Sequence, residues 1–354
     1  MTRFARAAGL SALALTAVSV ALSAAPAPAQ EKIVISNWDG YMPDDLPDKF
    51  EAETGIAVEV ALHATNEEIM GKVVAGGGRG YDVLFVSSPF AEALGKMGLL
   101  APLDPGLVPN FANLYPEAME LPYDPGNTFS APYAWGTTGL CYRSDLVEDP
   151  PSSWNDLLSP APELEGRVTM LSTDRWLMAA GLLAKGFSVN DTDPGHIAEV
   201  KETLIAARKT LLSYDDTTFY SKLVSGEASL VHAWDGWCNY GIAEDRSIRY
   251  VIPEEGTDLW VDTMVVPEAS ENKEAAQAFI NYVLGAETGA WVVENILYKV
   301  PNRAAMEAAD PGLYDLFPNL GMQPSELMRQ EALRDLGEGQ RLYSRAVTEI
   351  MAAN

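Results

Sequence analysis

Trp260 and Asp262 stand two residues apart in a run, residues 259–266, that is apolar and β-branched enough to form a strand, and that spacing sends both side chains to one face. A flat aromatic face beside a carboxylate is the pairing that holds an organic cation. An ammonium over a Trp or Tyr ring gains about 0.5–2 kcal/mol, and the carboxylate offsets the larger cost of taking the charge out of water. Trp38 with Asp39 and Trp234 with Asp235 set the same two groups side by side, and Trp237 lies three residues beyond Trp234. These four tryptophans fall at expected strand ends, whereas Trp135, Trp154 and Trp291 read as packing. The whole chain favours the same sign of partner: 50 Asp and Glu against 24 Lys and Arg give a formal charge of -26, a field that attracts cations and repels nucleic acid.

Catalytic patterns are missing from the sequence. His63, His196 and His232 have no paired metal-ligand spacing, and no nucleophile-elbow motif occurs. The glycine-rich stretch 76–80 lacks the Lys-Ser/Thr ending of a phosphate loop and follows a helix instead of a strand. The residues therefore point to binding without an enzyme's chemistry, and with no metal or cofactor. Cys141 and Cys238, far apart in sequence, are compatible with a disulfide or with two buried thiols.

The elements that must position these groups alternate. Residues 32–37, 56–62 and 81–86 read as strands, and 44–54, 66–74 and 89–97 as helices, which is the βαβα order of an α/β sheet covered by helices. Ligands in such sheets sit beyond the carboxyl ends of the strands, here residues 37–41 and 87–90. A second set follows: an apolar run at 132–141, strands at 167–171, 228–234, 249–252 and 259–266, and helices at 176–185, 197–212, 272–284 and 338–351. About 325 residues remain after the leader described next, enough for two cores at roughly 100–200 residues each, and no low-complexity linker divides them.

The N-terminus carries Arg3 and Arg6, an Ala/Leu-rich apolar run from 7 to 25, and Ala27-Pro28-Ala29, the order of a secretory signal peptide cleaved after Ala29. Residues 1–29 are thus expected to be removed on export to the periplasm. No cysteine stands at the cleavage point to carry a lipid.

Seven segments then carry a resemblance. Asn37-Trp-Asp-Gly-Tyr-Met-Pro, Phe50-Glu-Ala-Glu-Thr-Gly-Ile, Gly80-Tyr-Asp-Val-Leu, Pro132-Tyr-Ala-Trp-Gly-Thr, Ser153-Trp-Asn-Asp-Leu, Trp260-Val-Asp-Thr-Met-Val-Val-Pro and Asn272-Lys-Glu-Ala-Ala occur in order along the chain. Together they resemble the periplasmic spermidine/putrescine-binding proteins of polyamine ABC importers. The resemblance implies a two-lobed Venus-flytrap fold, each lobe a mixed sheet flanked by helices, with the chain crossing between lobes. It implies lobe one at 30–137 plus 262–308 and lobe two at 138–261 plus 309–354. It also implies a monomer that takes a polyamine in the cleft and delivers it to an inner-membrane ABC permease. By position, Trp38, Tyr41, Ser87, Trp234, Trp260, Asp262 and Tyr298 match cleft residues of that family, with Asp262 matching its ammonium-binding aspartate. Asp39 and Asp235 are candidates for the second ammonium, and Gln330 is a candidate for the family's glutamine contact, at a spacing to the final helix that differs by a few residues.

The match breaks where charge is concerned. Gly40 replaces an acid found in the spermidine-preferring member, Thr173 and Trp176 fall where it has a pair of acids spaced by three, and Pro89 takes a tyrosine's place. Asp174 offers a shifted carboxylate, while Trp176 and Trp237 would close a more aromatic box. Putrescine, a quaternary ammonium compound and a guanidinium compound are all open as ligands. An anion is disfavoured, since none of the matched cleft residues is basic.

Overall fold

The computed structural model describes residues 31–353; the expected leader and its cleavage point lie outside the described residues. Among the described residues there are ten strands: β1 (Lys32–Asn37), β2 (Ala57–Leu62), β3 (Val83–Ser87), β4 (Ser130–Arg143), β5 (Val168–Met170), β6 (Leu211–Tyr214), β7 (Leu230–Trp234), β8 (Ile248–Val251), β9 (Asp258–Val265) and β10 (Glu331–Ala332). Their order is β2-β1-β3-β9-β4-β7-β5-β6, with β10 added to β9 and β8 to β4. The expected alternation holds at the start: parallel β1, β2 and β3 are linked by helices Leu46–Thr54 and Asn66–Gly76, and helix Ser88–Lys96 follows β3.

β4 joins the two halves of this array. Its first part, Ser130 to Thr137, pairs antiparallel with β9, and from Thr138 onward it pairs with β7 and then also β8. Pro132 has no N–H to give to the ladder, and the register shifts between Pro132 and Ala134. Almost every side chain along β4 is buried, so helices and partner strands cover both faces.

One expectation needs correcting, and three helices add to it. The helix expected at 197–212 ends at Ala207; a short 3₁₀ turn intervenes and Leu211–Tyr214 becomes edge strand β6 beside β5. Half-burial of all four β6 residues on a pleated edge outweighed their helical propensity. Helices Phe219–Ser225, Asp235–Glu244 and Ala286–Ile296 were not foreseen from periodicity. The second starts directly at Asp235 at the end of β7, where a negative charge suits the helix N-terminus.

Cys141 of β4 and Cys238 of helix Asp235–Glu244 form a disulfide across 97 residues of sequence. It fixes that helix to the central strand, and closing so long a loop stabilises the fold by roughly 2–5 kcal/mol. Elsewhere, the buried Glu92 carboxylate receives Arg334 through two nitrogens at 2.7 and 3.0 Å and the Asp335 N–H at 2.9 Å, tying helix Ser88–Lys96 to the segment after β10.

Candidate functional site

The strand register places the key side chains. Asp262 lies opposite Ser87 on one side and Ala134 on the other, Trp260 opposite Gly136, and Trp234 opposite Thr138. Directly opposed antiparallel residues share a face, as do alternate residues of one strand. Ser87, Asp262, Trp260 and Trp234 therefore project from the same face, above a β4 floor of Ala134, Gly136 and Thr138. That floor is kept low by necessity. A Cβ on Gly136 would stand 2.5 Å from both Asp235 carboxylate oxygens and from the Trp260 ring.

Asp262 is the centre of charge. Ser87 Oγ donates to its Oδ1 at 2.6 Å and Tyr41 OH to its Oδ2 at 2.8 Å. Burial raises its pKa to about 6, partly opposed by those two hydroxyl donors. Asn66 orients Ser87 in turn, accepting the Ser87 N–H at 2.9 Å and donating to Ser87 Oγ at 3.0 Å. The Tyr41 backbone carbonyl is held by Tyr133 OH at 2.6 Å.

Rings surround this carboxylate edge to face, which suits their quadrupoles. Trp38 and Tyr298 each lie 5.4 Å from Tyr41, and Trp260 lies 5.6 Å from Tyr298. His63 meets Trp38 at 4.8 Å, with its Nδ1 paired to Ser36 Oγ and its pKa lowered by burial to about 4, so it is a neutral wall. From Tyr298 the aromatic run continues through Tyr240, Trp237 and Phe219 to Trp234 and Trp176, with successive centroids 5.4–6.4 Å apart. Trp234 and Trp176 meet at 85° and 5.4 Å. The indole N–H groups of Trp260 and Trp176 are buried and have no acceptor on the protein.

The remaining candidate carboxylates are placed differently. Asp39 is exposed at the turn after Trp38. Asp235 is buried over Gly136 beside the Trp260 ring, accepts the Gly236 N–H at 2.9 Å and the Thr137 N–H at 3.2 Å, and has its pKa raised by burial to about 7. Asp174 turns to the C-terminal helix Gln340–Ala352, where Ser344 Oγ donates to it at 2.6 Å. Gln330 accepts the Thr257 N–H at 3.1 Å, just before β9.

Residues that the sequence reading passed over include Asn66, Tyr133, Tyr240, Phe219 and two glycines. Gly236 is the second: a Cβ there would sit 2.4 Å from three carbons of the Tyr298 ring, so only glycine lets helix Asp235–Glu244 lie against that phenol. A glycine in the first turn of a helix, between Asp235 and Trp237, was the available signal. Asn66 had one too, following β2 at the edge where ligands bind. An open surface depression beside helix Pro194–Ala207, lined by Glu199, Glu202 and Thr203 with no aromatic, shares none of these residues.

Comparison with known proteins agrees with this geometry. The model of the bacterial extracellular solute-binding protein family matches residues 45–312. The spermidine/putrescine-binding periplasmic protein 1 of Haemophilus influenzae is 31% identical over 340 residues, 93% of this chain and 91% of that protein. A putrescine/cadaverine-binding protein of Pseudomonas aeruginosa is 30% identical over 341 residues, covering 92% of this chain and 95% of its own. Among solved structures, the spermidine/putrescine ABC transporter substrate-binding protein PotD of Streptococcus pneumoniae superposes with a TM-score of 0.78 at 27% identity, over 91% of this chain and 98% of that one. The chain belongs to the bacterial extracellular solute-binding protein family, has its two-lobed α/β fold, and is a binding protein of the ABC-transporter type, not an enzyme.

Proposed function

We propose that the protein is the periplasmic receptor of an ABC importer and captures a small organic cation of the polyamine class in the aromatic and acidic cleft around Asp262. One observation carries this reading: a buried carboxylate, oriented by Ser87 and Tyr41, stands among the rings of Trp38, Tyr41, Trp260 and Tyr298. An entering ammonium supplies the opposite charge that the buried Asp262 lacks, and the rings take the methylene stem. The names of the polyamine-binding relatives support the same substrate class.

Capture proceeds by closure of lobe one, 30–137 plus 262–308, on lobe two, 138–261 plus 309–354. The change of β4 partners between Thr137 and Thr138 supports a boundary there. The receptor works as a monomer, is exported with cleavage after Ala29, and docks in its closed form on an inner-membrane ABC permease. Nucleic acid has no part in it.

The test is calorimetric titration of the mature protein, unfolded and refolded to strip retained ligand, with putrescine, spermidine, agmatine, choline and glycine betaine. Micromolar or tighter binding of an amine that is lost in Asp262→Asn is the expected result. Binding of none of the five, or binding indifferent to Asp262→Asn, overturns the reading.

A further inference from the structure

Helix Asp235–Glu244 turns one face to the segment that carries Tyr298. Gly236, Asn239 and Tyr240 follow the i, i+3, i+4 spacing that sets side chains on one side of a helix. Gly236 lies against the Tyr298 ring, Tyr240 meets that ring at 6.4 Å, and Asn239 Nδ2 donates to the Leu297 carbonyl at 2.7 Å. The neighbouring Cys238 is bonded to Cys141 of β4, so this amide is offered from a fixed platform. On the other flank of Tyr298, the Lys299 carbonyl accepts the Trp135 N–H at 3.1 Å. The chain is thus held on both sides of Tyr298, whose ring stands 5.4 Å from Tyr41 and 5.6 Å from Trp260.

Two costs are concentrated at this junction. Leu297 ends helix Ala286–Ile296 at φ 52° and ψ 24°, the left-handed conformation in which the Cβ of an L-residue crowds the backbone. Among the described residues the other non-glycine at positive φ is Asn127, a residue type that tolerates it. Asn239 is fully buried, and its Oδ1 has no partner on the protein. An apolar side chain would avoid that unpaired acceptor, and asparagine is a poor helix former in any case. Stability alone accounts for neither residue. Both costs fall on the peptide that sets the Tyr298 ring beside Tyr41 and Trp260, and strain of this kind persists where it positions a functional group.

We infer that Asn239 is a positioning residue for ligand capture: its amide fixes the Leu297–Tyr298 peptide and, through it, the Tyr298 ring of the cleft. The inference rests on the cation-binding reading above. On the lobe assignment proposed there, Asn239 belongs to lobe two and Leu297 and Tyr298 to lobe one. The bond between them is then made as the lobes close, and Asn239 acts on the ligand by holding the closed form.

The test is Asn239→Leu, which keeps the branched shape and removes the amide, in the stripped mature protein titrated with the five amines named above. The amine that the parent protein binds most tightly should bind about five- to tenfold more weakly, while the ligand-free melting temperature holds or rises. With 3-fluorotyrosine incorporated, the fluorine resonance of Tyr298, assigned by its loss in Tyr298→Phe, should shift or broaden in the variant. Parental affinity, or an unmoved Tyr298 resonance, overturns the inference; the cation-binding reading still stands if Asp262→Asn abolishes binding. Where Asn239→Leu does not fold, Asn239→Ala replaces it in the same measurements. A melting temperature lowered by more than about 5 °C, or failure of both variants to fold, assigns the amide to the fold and overturns the inference as well. Failure of the parent protein to bind any of the five removes both.

Discussion

The Asp262 and Trp234 ends of the cleft are built on one sheet face yet follow different rules. At the first, a carboxylate is oriented by two hydroxyls, one of them fixed by Asn66, before any ligand arrives. At the second, Trp234 meets Trp176 and Phe219, and the buried Trp176 indole nitrogen has no partner on the protein. Preorganised charge at one end supplies attraction that neutral molecules cannot match, while the other end is walled by rings, with the Asp258 carboxylate held by Thr138 Oγ1 at 3.1 Å. On the proposed function, the charge at the first end supplies most of the affinity.

Asp262→Asn tests that division most severely. Removing the charge opposite a desolvated ammonium should cost on the order of 3–5 kcal/mol, at least a hundredfold in Kd by calorimetry. A loss of only a few-fold would mean that the ends share the charge. Gly236→Ala comes next, because its Cβ would overlap the Tyr298 ring that joins the two ends. Overpacking of this kind costs about 1–3 kcal/mol, to be read as a lower melting temperature together with weaker binding. An unchanged melt would show that the ring moves aside freely.

The pH dependence sharpens the comparison further. Burial raises Asp262 to about 6, so a ligand that needs the carboxylate should lose about fivefold in affinity between pH 6 and pH 5. The unliganded protein should respond in the opposite sense. With Asp235 at about 7 and Asp258 and Asp262 each at about 6, these three carboxyls hold more protons in the folded state than in the unfolded one across roughly pH 4–7, partly offset by the buried His63 and His232, lowered to about 4 and about 3. Stability is therefore fullest on the acid side and falls as pH rises through those values, which melting curves at pH 5 and 7.5 will report. The smallest effect is expected of Ser87→Ala. It removes one donor from Asp262 and takes the acceptor from Asn66 Nδ2, for a loss of about fivefold in affinity and an upward shift of the pH midpoint.

Much of the charged end was legible from sequence because its logic is local. Trp260 and Asp262 are alternate residues of one strand, and Ser87 ends another, so period-two reasoning brings them to the same edge. The α/β alternation was legible for the same reason. What stayed hidden depends on contacts between distant segments. The low floor at Gly136 matters only because Asp235 and Trp260 arrive from two other strands' ends, and the capture of Asp174 by Ser344 spans 170 residues. Residues 211 and 212 looked like the tail of a helix until β5 supplied an edge to pair with. The pairing of Cys141 with Cys238 needed the helix after β7, which its weak amphipathic pattern did not announce.

β4 is also a ruler against which the site is written. Ala134, Gly136 and Thr138 face the ligand side because each is an even step from the next, and three neighbouring strands take their positions from that count. Replacing one of its residues alters a single contact. Inserting or deleting one between Ala134 and Arg143 turns the following positions to the opposite face, withdraws either Asp262 or Trp234 from the cleft, and shifts Cys141 away from Cys238. Among descendants of this gene, divergence within residues 134–143 should accordingly run through substitutions at constant length, and changes in length should collect in the surface connections on either side.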